Sequence, residues 1–417
     1  MNKTDSKLGV GHSGRIGRRE FVAGAAAAAA TMMTQETGLA QTGNPTNSRK
    51  IKLGLIGCGG RGKWIARLFQ KHGGYDIHAV ADYFQDVADA AGDAFGVDKT
   101  RRFSGLSAYR KLIESGVEAV ALETPPSFFP EHVQAAVDAG LHVYMAKPVA
   151  VDVPGCLQVK AAAGKASDQK QCFLVDYQMP TDPHVLECAK RYRDGALGNL
   201  GVVKSFYYGG LFPDPPLTKN IESRLRHLTW VNDVAIGGGY HVNACIHPVQ
   251  AMMWMLGKTP VAAVGISRPA RPQAHGDSHD MFGITYEFDD GLFWTHTGRH
   301  SEGQIGPHDP LATCEFLGDA YMIIGYGGRA LIRGGPGHYA GGSIDNLYEA
   351  GASRNIATFY KNVTEADCSN DSVPMAIDSC LASILAREAG LRKDRLTMEE
   401  LVKANKRIEV DLGGLKT

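Results

Sequence analysis

Ile51-Lys52-Leu53-Gly54-Leu55-Ile56 reads as a buried strand and runs directly into Gly57-Cys58-Gly59-Gly60-Arg61-Gly62. Lys63-Trp64-Ile65-Ala66-Arg67-Leu68-Phe69 then continues with the periodicity of an amphipathic helix. Strand, glycine turn and helix in this order give the setting that a dinucleotide-binding turn requires. Gly57 permits the tight turn, Gly59 lets the backbone approach a pyrophosphate, and Gly62 lets helix and strand pack closely. The helix N-terminus, with Gly60 and Arg61, presents unpaired N–H groups to the phosphates. A second strand, Ile77–Ala81, ends at Asp82, twenty residues past Gly62. A carboxylate there accepts hydrogen bonds from a ribose 2′-hydroxyl and repels a 2′-phosphate, and Tyr83 stands where an arginine would favour NADP. The expected cofactor is therefore NAD in preference to NADP.

Helical and strand patterns keep alternating through Gln85–Phe95, Gly105–Ser115, Glu118–Glu123, Pro130–Ala139 and Leu141–Met145. This βαβ rhythm predicts an α/β fold with a parallel sheet covered on both faces. Ligands on such sheets lie beyond the carboxyl ends of the strands, where Thr124-Pro125-Pro126 and Ala146-Lys147-Pro148 fall. Farther on, Val202–Tyr208, Val261–Ser267, Met281–Phe288, Leu292–Thr297, Thr313–Phe316 and Tyr321–Ile324 read as strands separated by turn residues such as Asp289-Asp290-Gly291. The division expected for the 417 residues is an address segment over 1–40, a linker over 41–49, a cofactor domain over 50–172 and a second α+β domain over 173–417.

Lys3, Lys7, Arg15, Arg18 and Arg19 precede an alanine-rich apolar run from Phe21 to Met33, and Gly38-Leu39-Ala40 offers small residues for cleavage. Arg18-Arg19-Glu20-Phe21-Val22 resembles a twin-arginine signal, so export of a folded protein to the periplasm or beyond is expected, with no membrane anchor. Folding before export accounts for eight scattered cysteines without CxxC or zinc-site spacing, which read as unpaired buried thiols with no metal. Lys and Arg number 44 against 44 Asp and Glu, so no basic field invites nucleic acid as a partner. The loop His275-Gly276-Asp277-Ser278-His279-Asp280 looks metal-like but lacks a convergent third element, and is read as a polar loop.

Thr124-Pro125-Pro126, the stretch Ala139-Gly140-Leu141-His142-Val143-Tyr144-Met145-Ala146-Lys147-Pro148, and Gly237-Gly238-Gly239-Tyr240-His241-Val242-Asn243-Ala244-Cys245-Ile246-His247 together resemble motifs of the Gfo/Idh/MocA oxidoreductases, which include glucose-fructose oxidoreductase and inositol dehydrogenase. Leu396–Glu400 and Asp411–Lys416 are similar to the tails of exported members. Three positions depart from the pattern: Ala146 replaces a Glu, Phe129 falls where a His is common, and Asn243 replaces an Asp. The resemblance implies a Rossmann domain followed by a large open-faced, mainly antiparallel sheet that pairs subunits into a homodimer or homotetramer. It also implies hydride transfer between a nicotinamide cofactor and a hydroxyl of a sugar, cyclitol or glycoside. A redox-neutral glycoside hydrolase and a noncatalytic sugar-binding scaffold are the other two readings.

For that chemistry, Lys147 is carried over as the group contacting the reacting hydroxyl and the cofactor. His247 is expected to take the proton because imidazole titrates near neutrality. Asn243, four residues earlier in a run read as helical, would share its face and orient the substrate or the imidazole. Tyr177, Gln178, Tyr240 and His241 are the expected substrate contacts, and Thr124 and Pro125 join the glycines, Arg61 and Asp82 around the cofactor. Trp230 and Tyr240 are aromatics that either stack on a sugar or fill core.

Overall fold

The computed structural model describes residues 49–302 and 312–417, so the expected export signal lies outside the described residues. Six parallel strands form the first sheet: β1 (Ile51–Ile56), β2 (Tyr75–Asp82), β3 (Arg102–Ser104), β4 (Ala119–Leu122), β5 (His142–Met145) and β6 (Phe173–Val175). Their order is β3-β2-β1-β4-β5-β6, which places a crossover between β1 and β4. A ligand crevice opens at that switch point. All four residues of β4 are buried, as the apolar run requires when helices cover both faces. Helix α1 (Gly60–His72) buries Ile65, Ala66, Leu68 and Phe69 against one face. The sheet extends past residue 172, where the sequence suggested a boundary, because Phe173–Val175 pairs with β5.

Nine strands form the second sheet: β7 (Val202–Gly209), β8 (Ala262–Arg268), β9 (Met281–Glu287), β10 (Phe293–His300), β11 (Ala312–Leu317), β12 (Tyr321–Tyr326), β13 (Ala330–Arg333), β14 (Tyr339–Gly342) and β15 (Leu396–Thr397). The order is β14-β13-β12-β11-β7-β10-β9-β8-β15, and every pair except β7 with β10 is antiparallel. Along β9 and β10, Phe282, Ile284, Tyr286, Trp294, His296 and His300 alternate inward. That period of two marks a sheet covered on one face only. Short helix α2 (Gly239–Asn243), helix α3 (Ile246–Leu256) and helix α5 (Ser372–Arg392) supply the cover. Helix α4 (Leu347–Glu365) returns instead to the first sheet, where Ala352, Ile356 and Phe359 join the core of Leu53 and Phe69. The Tyr75 hydroxyl ties that helix down by donating to the Ile356 carbonyl at 2.9 Å.

The run from Asn243 to Leu256 is not one helix. Gly238 and Gly239 take φ of 85° and 76°, α2 ends at Asn243, and α3 starts afresh at Ile246. Asn243 and His247 therefore do not stack one turn apart on a continuous helical face. The loop at 275–280 is a structural clasp: Asp280 accepts from the backbone of Ala270 and Arg271 and pairs with the Arg271 guanidinium at 2.5 Å. Among the described residues, no helix is long and apolar enough to cross a membrane.

Candidate active site

The turn after β1 is shaped by what its glycines lack. Gly57 sits at φ 95°, and a Cβ on it would meet the Glu123 carbonyl carbon at 2.6 Å. A Cβ on Gly62 would meet the Gly57 carbonyl oxygen at 1.8 Å, so the helix can approach the strand only with glycine there. Gly59 and Gly60 face open space. They border a cavity of about 930 Å³ that Asp82, Thr124, Pro125 and Tyr348 also line. Asp82 ends β2 with one carboxylate oxygen accepting from Cys58 N at 2.8 Å and the other from Phe84 N at 3.0 Å, which fixes it at the rim. Burial raises its pKa, opposed by those two N–H groups. An open glycine cradle, a helix N-terminus and a fixed carboxylate fit a dinucleotide.

The Arg61 side chain turns inward. Its Nε donates to Glu123 at 3.2 Å and its Nη2 to Asp176 at 2.7 Å, while the guanidinium lies 4.6 Å from the centre of the Trp64 ring. Asp176 is held from its other oxygen by Asn355 Nδ2 at 2.8 Å. Burial pushes the Glu123 carboxyl up to about 7 against the pull of Arg61, and its Oε1 has no hydrogen-bond partner among the described residues.

Lys147, just past the end of β5, is half-buried beside this cluster and its Nζ donates to the Asn243 carbonyl at 2.7 Å. Desolvation, then repulsion from Arg61, pushes its pKa down to about 7, while Asp176 and Glu123 pull the other way. Two carboxylates thus act on Lys147 from other strands although Ala146 has none to offer. Asn243 contributes its backbone oxygen, and its side chain is turned away, donating to the Gly237 carbonyl at 3.3 Å.

His247 is enclosed by aromatic rings, stacked on Tyr207 and edge-on to Tyr326 and Tyr348. Burial and the nearby cations Lys147 and Arg61 push its pKa well below the usual range. Burial and two positive neighbours thus disfavour imidazolium, against the titration near neutrality expected from a free imidazole. Its Nδ1 has no partner among the described residues. Lys147 and His247 do not face the open cavity directly. They connect to it through Arg61, Glu123 and Tyr348, which line it and act on one or both of them.

The four expected substrate contacts lie elsewhere. The Tyr240 hydroxyl donates to the Arg299 carbonyl at 2.6 Å and its ring stacks on His300, while His241 is fully buried against Ser383. Tyr177 is buried in the core, and Gln178 accepts from the Tyr326 hydroxyl at 3.3 Å, holding a ring that packs on His247. Burial of the apolar ring bodies wins over exposure at Tyr177 and Tyr240. Asp176, their immediate neighbour, is the residue that reaches the site. Trp230 does line the cavity. So does His132, whose Nδ1 lies 3.3 Å from Thr124 Oγ1, and the sequence offered no signal for it beyond helical periodicity.

Residues 51–174 match the family model for the oxidoreductase family with NAD-binding Rossmann fold, GFO_IDH_MocA, and residues 185–319 match its GFO/IDH/MocA C-terminal domain. The chain belongs to the GFO/IDH/MocA oxidoreductase family. Over 235 residues, 56% of this chain and 64% of the relative, this family member is 25% identical to inositol 2-dehydrogenase of Rhizobium meliloti. It spans about half to two thirds of the length of the curated relatives it matches. Among solved structures, aldose-aldose oxidoreductase of Caulobacter crescentus superposes with a TM-score of 0.66 at 19% identity, covering 84% of this chain and 100% of that one. Myo-inositol 2-dehydrogenase of Lactobacillus plantarum gives the same TM-score and identity over 84% and 99% of the two chains. Both share the fold of this GFO/IDH/MocA member.

Proposed function

We propose that the protein is an NAD-dependent oxidoreductase that moves hydride between the cofactor and a hydroxyl of a cyclitol or sugar. The carrying observation is Lys147, a lysine pushed down to about 7, set behind the Arg61–Glu123 wall of the glycine-turn cavity. The bound nicotinamide supplies or accepts the hydride. Lys147 in its free-amine form takes the hydroxyl proton at Nζ, and as ammonium returns it. His247 stays neutral and uses Nδ1 to orient the hydroxyl, while Arg61 keeps Glu123 and Asp176 in place around the lysine. In this reading residues 50–172 hold the cofactor and the chain from 173 brings in the substrate side. The inositol 2-dehydrogenase relatives support a cyclitol as the first substrate to try.

The direct test is mass spectrometry of nucleotide released from the purified protein, followed by a panel of cyclitols, sugars and glycosides scored for NADH and for aglycone release. NADH formation from a cyclitol or sugar is the expected outcome. Aglycone release without NADH, or no reaction by a protein that holds NAD, would overturn the reading. Cofactor choice has its own check, because Asp82 repels a 2′-phosphate. Fluorescence titration should show NAD binding tighter than NADP, with Asp82→Ala narrowing the difference.

Export by the twin-arginine route is part of the same proposal. Arg18→Lys with Arg19→Lys should leave folded precursor in the cytoplasm, and unchanged export in a fractionation experiment would remove the idea. The open face of the second sheet carries Ile266 at 65% and Phe293 at 45% exposure, which supports a second copy as its cover in a dimer or tetramer. Light scattering on the purified protein reads that directly.

A further inference from the structure

We propose that His241, Cys245 and His296 form a buried site for one soft monovalent cation, copper(I). The three residues come from α2, the turn into α3, and β10, and their donor atoms lie within 4.8 Å of one another. His241 Nδ1 lies 3.2 Å from the Ser383 carbonyl. A carbonyl only accepts, so Nδ1 carries the proton and Nε2 presents a bare lone pair. That Nε2 has no partner among the described residues although the side chain is fully buried. At His296, Nδ1 is 2.8 Å from Ser205 Oγ, a hydroxyl that can accept or donate and that also accepts from Trp294 Nε1 at 2.8 Å, and Nε2 has no partner among the described residues. Two buried imidazoles are each anchored through one nitrogen and left open at the other, as metal-ligating histidines are by their outer partners. Gly298 leaves room for the thiol, since a Cβ there would meet Cys245 Sγ at 2.8 Å.

Charge and coordination number select the ion. One thiolate and two neutral imidazoles with a monovalent cation make a net neutral centre, whereas zinc(II) would leave an uncompensated positive charge in a dry pocket. Zinc also calls for a fourth ligand, while soft thiolate-containing trigonal sets suit copper. Donors around a trigonal ion sit about 3.6 Å apart, so closure asks for side-chain adjustments of about an ångström. The ion would pin the turn between α2 and α3, and with it the Asn243 carbonyl that receives Lys147, to the centre of the second sheet.

The test expresses the whole protein in medium supplemented with copper or with zinc, purifies it under anaerobic native conditions and measures metal per chain. About one copper per chain is expected, with X-ray absorption showing one sulfur and two nitrogen neighbours. Cys245→Ser and His296→Gln should each lose it, with circular dichroism confirming that the variants fold. Copper retained by Cys245→Ser, zinc bound in preference to copper, or no metal from either medium would each overturn the proposal.

A separate observation carries a second inference. Cys172 Sγ and Cys368 Sγ lie 3.0 Å apart across a sequence separation of 196 residues, one fully buried before β6 and the other partly exposed after α4. We propose that this pair closes to a disulfide on meeting a disulfide oxidant. Cys368 as thiolate attacks the oxidant and releases one thiolate, then Cys172 attacks the mixed disulfide and releases the second. The protein loses two electrons and two protons, and the oxidant leaves as two thiols. Closing so long a loop restricts the unfolded chain. Reduced protein incubated with oxidised glutathione, alkylated and mapped without reduction should yield a Cys172–Cys368 linked peptide and a Tm higher by on the order of 5 °C. The Tm rise should be absent in Cys368→Ser. Both thiols recovered alkylated after oxidation would overturn it.

Discussion

Lys147→Met is expected to lower turnover by roughly 10²–10⁴-fold, the scale of general acid–base assistance, while nucleotide affinity changes little. In the proposed reading the glycine turn and Asp82 hold the cofactor at the ends of β1 and β2, away from the strand end that carries the lysine. The methionine is nearly isosteric, so the fold should survive and the loss would report the Nζ itself. The pH profile gives a second readout. With Lys147 pushed down to about 7, the free amine that accepts a proton accumulates above that pH. Oxidation of the hydroxyl should therefore accelerate as pH rises through about 7, and carbonyl reduction, which needs the ammonium, should slow over the same range. A flat profile in both directions, or full turnover by Lys147→Met on an identified substrate, would place the proton transfer on another group.

Much of the fold was legible because its signals are local. A buried strand, a glycine turn and an amphipathic helix are contiguous, and the alternating strands of the second sheet announce one covered face. Helix 85–95 matches the periodicity residue for residue. The short strands β3, β13, β14 and β15 went unread, since two to four residues carry too little pattern. The site was legible in part. The glycines, Asp82, Thr124 and Pro125 line the cavity because they stand at strand ends, beyond which ligands of parallel sheets lie. Tyr177, Gln178, Tyr240 and His241 were misplaced because neighbours of a motif alternate between cavity and core, and a sequence does not say which way a side chain turns. Conversely, Glu123 and Asp176 enter the site only because the parallel sheet brings the ends of β4 and β6 to Arg61. No spacing in the chain encodes a contact across 115 residues.

Arg61→Met is expected to destabilise the protein by about 3–5 kcal/mol, the usual cost of removing one partner from a buried ion cluster. Glu123 and Asp176 have fully buried side chains, and both depend on the same guanidinium. Without it, two buried carboxylates face each other beside Lys147. The lysine should then be drawn part of the way back toward its ordinary pKa, since burial still lowers it but the repulsion from Arg61 has gone and the two acids remain. Urea denaturation should show a lower midpoint with little change in slope, and oxidation of the hydroxyl should require a higher pH. Arg61→Met combined with Glu123→Gln separates charge from packing, because it removes one of the stranded carboxylates. If the cluster acts as a unit, the double variant should be more stable than Arg61→Met alone, with a coupling energy of at least about 1 kcal/mol. Simple additivity of the two losses would mean that Arg61 holds the site through its contact with Trp64 and not through its charge.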